Sequence, residues 1–198
     1  MEKPVSEACE RNREPILAVL KPVLKHSNTV LEIGSGTGQH AVYFAEHMPH
    51  LTWIASDRKE NHAGITAWMR DANLGNTRGP LLLDVNHADW PEVDVDAVFS
   101  ANTIHIMAWE EVKKMIAGIG KLLPRDGLLV LYGPFNYNGH YTSESNARFD
   151  EWLKARDPKS GIRNFEDVEA LANAAGLTFQ EDYAMPANNR IICWRKIR

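Results

Sequence analysis

The stretch VLEIGSGTGQH, from Val30 to His40, places three glycines within five residues directly after an apolar run. The spacing is Gly-x-Gly-x-Gly, at Gly34, Gly36 and Gly38, and the acidic residue Glu32 precedes it. Glycine loses much conformational entropy on folding, so three of them together indicate a backbone that needs positive φ or lets a ligand approach closely. We therefore predict a buried strand that leads through a ligand-binding loop into the N-terminus of a helix.

Strand-like and helix-like stretches alternate along the rest of the chain. The predicted strands are TVLEI (29–33), LTWIAS (51–56), PLLLDV (80–85), VDAVFSA (95–101), GLLVLYG (127–133), LTFQEDYAM (177–185) and RIICWRK (190–196). The predicted helices cover about 10–25, 38–47, a stretch around 65–69, 112–123, 144–155 and 164–176. This alternation predicts an α/β fold with a doubly wound, mainly parallel seven-stranded sheet and helices on both faces. The last two strands leave no room for a helix between them and are expected to form an antiparallel pair.

Length and composition limit the classes of protein that need to be considered. The 198 residues predict a single domain over 1–198, with an N-terminal helix at about 10–25 and a substrate-side insertion at about 134–163. The chain has 22 basic and 26 acidic residues and no strongly basic segment, so we expect no nucleic-acid partner. We expect no membrane association, because no apolar run approaches the roughly 20 residues needed to span a bilayer. The N-terminal segment has no apolar core and the two cysteines are expected to be free thiols, which predicts a cytoplasmic protein.

Two ligands compete for the glycine loop. A dinucleotide-binding fingerprint reads Gly-x-Gly-x-x-Gly, whereas the spacing here is one residue shorter. A helix N-terminus favours negative charge, which NAD would supply with its pyrophosphate. S-adenosylmethionine has no phosphate but carries an amine and a sulfonium, so the carboxylate of Glu32 favours this cofactor. The spacing makes a NAD-dependent oxidoreductase the less favoured alternative.

Acidic residues at the ends of the next two predicted strands extend this site. Asp57, nineteen residues after Gly38, is expected to accept hydrogen bonds from ribose hydroxyls, which fits either ligand. Asp84 and the N–H of Val85 are expected to meet the adenine amino group and a ring nitrogen, and the alternative for Asp84 is a turn cap. The residues that we assign to cofactor binding are Glu32, Gly34, Ser35, Gly36, Gly38, Asp57, Arg58, Asp84, Val85 and Asn102.

Candidate catalytic residues follow the fourth and fifth predicted strands. His105 lies in SANTIHIMAW and is the best candidate for a general base, since its ordinary pKa is near 6.5. The alternative is that His105 orients a loop through hydrogen bonds. Tyr132, at the end of GLLVLYG, is the second candidate catalytic residue.

The substrate-binding candidates are Asn136, Asn146, Arg163 and Asn189. Arg163 is expected either to hold a substrate carboxylate or phosphate or to form a salt bridge with Asp157 or Glu166. Asn189 belongs either to a polar substrate pocket or to a tight turn before the last strand. We expect no metal site, because the one close histidine pair has no further cluster of ligands beside it.

The sequence resembles the class I S-adenosylmethionine-dependent methyltransferases over most of its length, in the EIGSGTG loop, the acid at Asp57, LLLDV and the SANTIHI segment. A narrower similarity is to the methyltransferase-like 26 group, a group of unknown substrate. The motifs that carry it are ERNREPIL, GSGTGQHAVYFA, NTIHIMAW, LYGPFN, SESNARFDEWL, GIRNFEDV and MPANN. The resemblance implies a seven-stranded sheet whose last strand is antiparallel, with S-adenosylmethionine as cofactor.

These observations support three hypotheses of function. The first is a methyltransferase that uses S-adenosylmethionine to modify a small polar molecule, such as a carboxylate. The second is a non-catalytic protein that binds this cofactor or a partner, and the third is the NAD-dependent oxidoreductase. Gln39 and His40, which the broad family does not require, either face the methyl acceptor or merely begin the helix.

Overall fold

In the computed structural model, which describes residues 3–197, the chain divides into two units between Ser100 and Ala101. The elements that begin in the first unit are α1 (Glu7–Val23), β1 (Thr29–Ile33), α2 (Gln39–His47), β2 (Thr52–Asp57), α3 (His62–Ala72), β3 (Thr77–Leu82) and β4 (Ala97–Ala101). Those of the second unit are α4 (Trp109–Leu122), β5 (Leu128–Gly133), β6 (Phe135–Asn136), α5 (Glu144–Arg156), β7 (Arg163–Asn164), α6 (Phe165–Ala174), β8 (Leu177–Met185) and β9 (Asn189–Lys196). The single domain over 1–198 stays a prediction.

The sheet has seven strands in the order β3-β2-β1-β4-β5-β9-β8. In the first unit β1 pairs in parallel with β2 and β4, and β2 pairs in parallel with β3. In the second unit β9 is antiparallel to both β5 and β8, while the two-residue strands β6 and β7 form a separate parallel pair. The predicted α/β class, with a mainly parallel seven-stranded sheet and an antiparallel closing pair, is confirmed.

Most predicted elements have the expected bounds, and the first helix differs at its start. Helix α1 begins three residues earlier than predicted, because the Ser6 hydroxyl accepts a hydrogen bond from the Cys9 N–H at 3.4 Å and caps the helix. The helix ends at Val23, directly after Pro22 and two residues before its predicted end, since a proline disfavours continuation of the helix.

The third strand is displaced from its predicted position. PLLLDV was expected to be the strand, but β3 covers Thr77–Leu82, and its pairing with β2 ends where Leu82 lies opposite Asp57. Gly79 lies in the strand with φ of +96°, where a Cβ would approach the Ala55 carbonyl oxygen to 2.4 Å. Close contact of Gly79 with the Ala55 backbone therefore sets the position of the strand, and the apolar pattern does not predict this contact. Asp84 lies two residues beyond the end of the strand.

The core of the first unit contains an aromatic cluster between α2 and the sheet. The ring of Phe44 lies 5.3 Å from that of Trp53 and 5.6 Å from that of Phe99, measured between centroids. All three side chains are fully buried. Large aromatic side chains bury much apolar surface, so this cluster fixes α2 against β2 and β4. None of the helices between residues 3 and 197 combines the length and apolar character needed to cross a membrane.

Candidate functional site

The glycine loop in the first unit has the backbone that its sequence predicts. Gly34, Gly36 and Gly38 have φ of +76°, +58° and +92°, a region that other residues rarely adopt. A Cβ on Gly38 would lie 2.8 Å from the Cα of Ile65, so this position allows no side chain. A Cβ on Gly36 would meet no atom within 4 Å. The loop is thus closed against α3 at its last glycine and open at its middle one.

Glu32 lies beneath the loop rather than in front of it. Its side chain is 1% exposed, and Oε2 accepts hydrogen bonds from Ser35 Oγ at 2.9 Å and from Trp53 Nε1 at 3.1 Å. Burial raises the pKa of Glu32 to about 7, against these hydrogen bonds. The carboxylate therefore supports the loop through Ser35, and Oε1 remains without a partner within the described residues.

Asp57 connects the end of β2 to the same loop. Its Oδ2 accepts the Gly36 N–H at 2.7 Å, and its Oδ1 accepts the Arg58 N–H at 2.7 Å and Asn61 Nδ2 at 2.9 Å. A carboxylate offers about four acceptor positions, so one position on Oδ2 is left for a ligand. The side chain of Arg58 is exposed and lies 3.2 Å from Glu60, which leaves its backbone N–H as its contact with the site.

Asp84 and Val85 follow β3 instead of ending it. Asp84 Oδ1 accepts the Asn86 N–H at 2.9 Å, which is the turn cap that was the alternative for this residue. Within the described residues, Asp84 Oδ2 and the buried Val85 N–H make no hydrogen bond. An acceptor and a donor are thus left open side by side, in addition to the turn.

Asn102, Tyr132 and His105 all belong to the second unit. Asn102 has φ of +55°, and its N–H donates to the Tyr132 carbonyl at 2.8 Å. Tyr132 is a buried residue of β5, 5% exposed. A Cβ on Gly133, the next residue, would lie 3.4 Å from His105 Nδ1 and 3.8 Å from Asn102 Oδ1. The structure therefore brings these three predicted residues together around Gly133.

His105 is buried and its Nδ1 has no hydrogen-bond partner within the described residues. Its ring meets Phe149 edge-on, with 5.5 Å between centroids. Burial, followed by the charge of Arg163, lowers the pKa of His105 to about 4. The ring is therefore neutral at pH 7, and a buried polar atom without a partner is uncommon enough to mark a functional candidate.

The three asparagines assigned to substrate binding have different environments. Asn136 is buried, and its Oδ1 has no partner within the described residues. Asn146 donates through Nδ2 to Thr142 Oγ1 at 2.9 Å and to the Asn188 carbonyl at 3.1 Å, so its amide connects two loops. Asn189 donates to the Pro186 carbonyl at 3.2 Å, within the turn that was its alternative. Among these three side chains, Asn136 has the amide oxygen that is buried and without a partner within the described residues.

Arg163 forms neither of its two expected salt bridges. Its Nε donates to the Ile104 carbonyl at 3.1 Å, and its Nη2 donates to the carbonyls of Met107 and, at 2.9 Å, Lys159. Sequence patterning cannot reveal such bonds, because backbone carbonyls are present at every position. The remaining nitrogen, Nη1, makes no hydrogen bond within the described residues.

Gln39 and His40 contact α1. Gln39 Oε1 accepts the Ser6 N–H at 2.6 Å, and its Nε2 donates to Glu10 at 2.6 Å. His40 Nε2 lies 2.7 Å from Asn12 Oδ1. The motifs ERNREPIL and GSGTGQHAVYFA are therefore connected in the structure, because Gln39 and His40 bind Glu10 and Asn12 of α1.

Asp150, a buried carboxylate in the second unit, is not among the residues predicted from the sequence. It is 1% exposed and accepts the Ile162 N–H at 2.6 Å and the Tyr141 hydroxyl at 2.6 Å. A signal was present, since Asn146, Asp150 and Leu153 recur at helical spacing and form the buried face of α5. Across residues 3–197, His, Cys, Asp and Glu side chains form no group of three suited to a metal ion.

A family model described as "Protein of unknown function (DUF938)" matches residues 3–196 of this chain. Solved structures with the same fold include the S-adenosylmethionine-dependent methyltransferase SibL in its apo form, 20% identical with a TM-score of 0.82. An O-methyltransferase family protein from Burkholderia thailandensis is 15% identical with a TM-score of 0.84. Human N-acetylserotonin methyltransferase, solved with S-adenosylmethionine, is 16% identical with a TM-score of 0.78.

These three matches extend over nearly the whole chain. They cover 96%, 96% and 97% of it, but 56%, 58% and 53% of the respective solved chains. The chain therefore spans just over half the length of these proteins. At these identities the likeness establishes the class I methyltransferase fold.

Proposed function

The chain belongs to this family of unknown function, and we propose that it is an S-adenosylmethionine-dependent methyltransferase that acts on a small polar molecule. The observation that carries the proposal is the set of open groups after β1, β2 and β3. These are the space at Gly36, the remaining acceptor position of Asp57, and the unpaired Asp84 Oδ2 with the Val85 N–H. The likeness to methyltransferases, one of them solved with this cofactor, supports the same reading.

The donors and acceptors left open match the parts of the cofactor. In this proposal the open Gly36 position admits the amino-acid end, Asp57 accepts one ribose hydroxyl, and Asp84 with Val85 recognises the adenine edge. Bound S-adenosylmethionine supplies a methyl group activated by a sulfonium. The partly protonated Glu32 beneath the loop adds negative charge when it ionises, which favours a cationic cofactor over a dinucleotide.

His105 and Tyr132 are the proposed catalytic residues, and Asn136, Asn146, Arg163 and Asn189 the proposed substrate-binding residues. A hydroxyl or amine acceptor would deliver its proton to the neutral ring of His105 at Nδ1. A carboxylate arrives without a proton and needs no base, and Nη1 of Arg163 is then the donor that would hold it. Asn136 Oδ1 would accept a hydrogen bond from a donor group of the same molecule.

The remaining parts of the proposal rest on sequence. We infer membership of the methyltransferase-like 26 group from the motifs quoted above, a cytoplasmic location from composition, and a small-molecule substrate without a nucleic-acid or membrane partner. Asn102 and Arg58 are proposed to complete the cofactor site.

Calorimetry with S-adenosylhomocysteine tests the proposal directly. We expect binding by the wild-type chain and about tenfold weaker binding by Asp84→Asn, which keeps the turn acceptor but turns Oδ2 into a donor facing the adenine amino group. Asp89→Asn, an exposed acid five residues later, is the matched control. Absence of binding at millimolar concentration, or binding of NADH instead, would overturn the proposal. Binding without release of S-adenosylhomocysteine from any pool of small metabolites would favour a non-catalytic binding protein.

A pH series sharpens the cofactor test. Because the pKa of Glu32 is raised to about 7, its carboxyl group is mostly protonated at pH 6 and mostly ionised at pH 8 in the free protein. A cationic ligand favours the ionised form, so affinity for S-adenosylmethionine should rise several-fold between these pH values. Glu32→Gln should abolish this rise. A pH-independent affinity in the wild type would contradict the placement of the cofactor's positive charge beside Glu32.

A further inference from the structure

Asp150 is a buried carboxylate of α5 that accepts hydrogen bonds from three donors. Its Oδ1 accepts the Ile162 N–H at 2.6 Å, while its Oδ2 accepts the Tyr141 hydroxyl at 2.6 Å and Lys154 Nζ at 2.5 Å. Burial alone would raise the pKa of Asp150, yet the bonds from Lys154, Tyr141 and Ile162 bring it below the ordinary value. The group is therefore ionised, and its geometry is defined from both sides.

The segment that Asp150 holds is the one that holds the His105 turn. We call residues 160–163 the bracket. Within it, the Gly161 N–H donates to the His105 carbonyl at 2.8 Å, and Arg163 donates to the carbonyls of Ile104 and Met107. The bracket thus binds the backbone of the His105 turn at three points, and Asp150 binds the bracket at Ile162.

The fit between Asp150 and the bracket is tight. Gly161 has φ of +153°, and a Cβ there would lie 3.0 Å from Asp150 Oδ1. Phe149, the residue before Asp150, supplies the ring that meets His105 edge-on. Helix α5 therefore acts on His105 twice, directly through Phe149 and indirectly through the bracket.

The bracket explains what holds the His105 ring in position. A side chain that makes a hydrogen bond is held in place by that bond, but Nδ1 of His105 makes none within the described residues. Its position must come from packing and from its own backbone. The carbonyls of Ile104, His105 and Met107 all accept bonds from the bracket, so the bracket is what holds the unpartnered ring nitrogen against Gly133.

We propose that Asp150 is a positioning residue for His105, acting through the bracket and keeping Nδ1 buried, oriented and free to meet the methyl acceptor. The proposal rests on the proposed function, in which His105 takes a proton from that acceptor. Asp150 itself touches neither ligand in this scheme. Its contribution is to keep the turn in one conformation, as a catalytic group needs to be held within a fraction of an ångström.

Nuclear magnetic resonance titration of the His105 imidazole tests this without any substrate. In the wild type the pKa should lie near 4. In Asp150→Ala the bracket loses its anchor, the ring becomes hydrated, and the pKa should rise towards the ordinary 6.5. Asp150→Asn keeps an oxygen for the Ile162 N–H and should restore most of the wild-type value. Glu151→Ala, an exposed neighbour on α5, is the matched control and should leave the titration unchanged.

Turnover and cofactor binding complete the experiment. Asp150→Ala should lower kcat at least tenfold with S-adenosylhomocysteine affinity unchanged, and Asp150→Asn should recover part of kcat. A folded Asp150→Ala protein with the wild-type His105 pKa would overturn the proposal. Should that variant not fold, Arg163→Lys serves instead, because lysine keeps the charge but cannot bridge Ile104 and Met107; an unchanged His105 pKa there overturns the proposal equally. Failure of the wild type to bind S-adenosylhomocysteine would instead overturn the proposed function and leave the titration result standing.

Discussion

Two buried histidines, His40 in the first unit and His105 in the second, have similar environments but differ in the hydrogen-bond partners of their ring nitrogens. Each is about 5% exposed or less, each lies beside an aromatic ring, and the pKa of each is lowered to about 4 by burial and then by a nearby arginine. His40 has Asn12 Oδ1 at 2.7 Å from Nε2 and Cys9 Sγ at 4.0 Å from Nδ1. His105 leaves Nδ1 without a partner within the described residues.

The comparison shows that burial and a shifted pKa do not by themselves identify a functional group. His40 has both, yet its two ring nitrogens are occupied by α1 and it joins that helix to the helix after the glycine loop. His105 has both and retains a nitrogen that no described residue occupies. An unsatisfied buried atom is costly, and this cost is the reason that we propose a catalytic role for His105 and not for His40.

The largest expected effect is a difference in kcat between variants of the two histidines. With a methyl acceptor that carries a proton, His105→Leu should lower kcat by about 10²- to 10⁴-fold, the usual contribution of a general base. His40→Leu should stay within a few-fold of wild type once the folded fraction is corrected for, because both of its nitrogens serve α1. The measurement is the release of S-adenosylhomocysteine under saturating cofactor. Equal losses of kcat in the two variants would contradict a catalytic role for His105 that His40 lacks.

The next effect concerns acid, where the two histidines should behave alike. Each has a pKa near 4 when folded and about 6.5 when unfolded, so the unfolded chain binds more protons in this window. The free energy of unfolding should therefore fall as the pH falls, by about 2 kcal/mol for each histidine between pH 7 and pH 5. Urea denaturation across this range measures it.

The leucine variants provide the control for this acid effect. His40→Leu and His105→Leu should each remove one histidine's share of the pH dependence. A variant that keeps the full wild-type slope would show that its histidine is already protonated or hydrated in the folded protein.

The smallest effect separates the pair again, at neutral pH. His40→Leu leaves Asn12 Oδ1 buried without a partner and should cost about 1.5 kcal/mol more in the free energy of unfolding than His105→Leu, which orphans no side chain. The double variant Asn12→Leu/His40→Leu is the control, since removing both polar partners should recover part of this loss. A greater cost for His105→Leu would mean that its imidazole also serves the fold.

The fold could be predicted from the sequence because strands and helices are indicated by patterns over a few neighbouring residues. Alternating apolar runs and helical periods identified all seven strands of the main sheet, and the absence of a helix between β8 and β9 predicted their antiparallel pairing. The errors lie where a distant backbone intervenes. Strand β3 was placed three residues too late because its pairing with β2 depends on Gly79, whose position against the Ala55 carbonyl has no local signature.

The residues of the candidate site could be predicted from the sequence, but the hydrogen bonds between them could not. The spacing of the glycines predicted a loop with positive φ, and Asp57 was placed correctly at the end of β2. Two of the three carbonyls that Arg163 binds, those of Ile104 and Met107, are more than fifty positions away, and no spacing rule contains such bonds. The helical spacing of Asn146, Asp150 and Leu153 marks Asp150 as a residue of the buried face of α5, but its bond to the Ile162 N–H has no signature in the sequence.

Local sequence was therefore enough to establish the α/β class, the glycine loop and the acids that follow it, because backbone conformation and hydrophobic period act over a few residues. Which atoms remain open was decided by contacts between segments far apart in the chain. Those contacts occupy both nitrogens of His40 and leave Nδ1 of His105 without a partner among residues 3–197, although burial lowers the pKa of both residues. Hydrogen bonds saturate donors and acceptors one by one, so the chemistry left to a residue depends on which neighbours the fold brings to it.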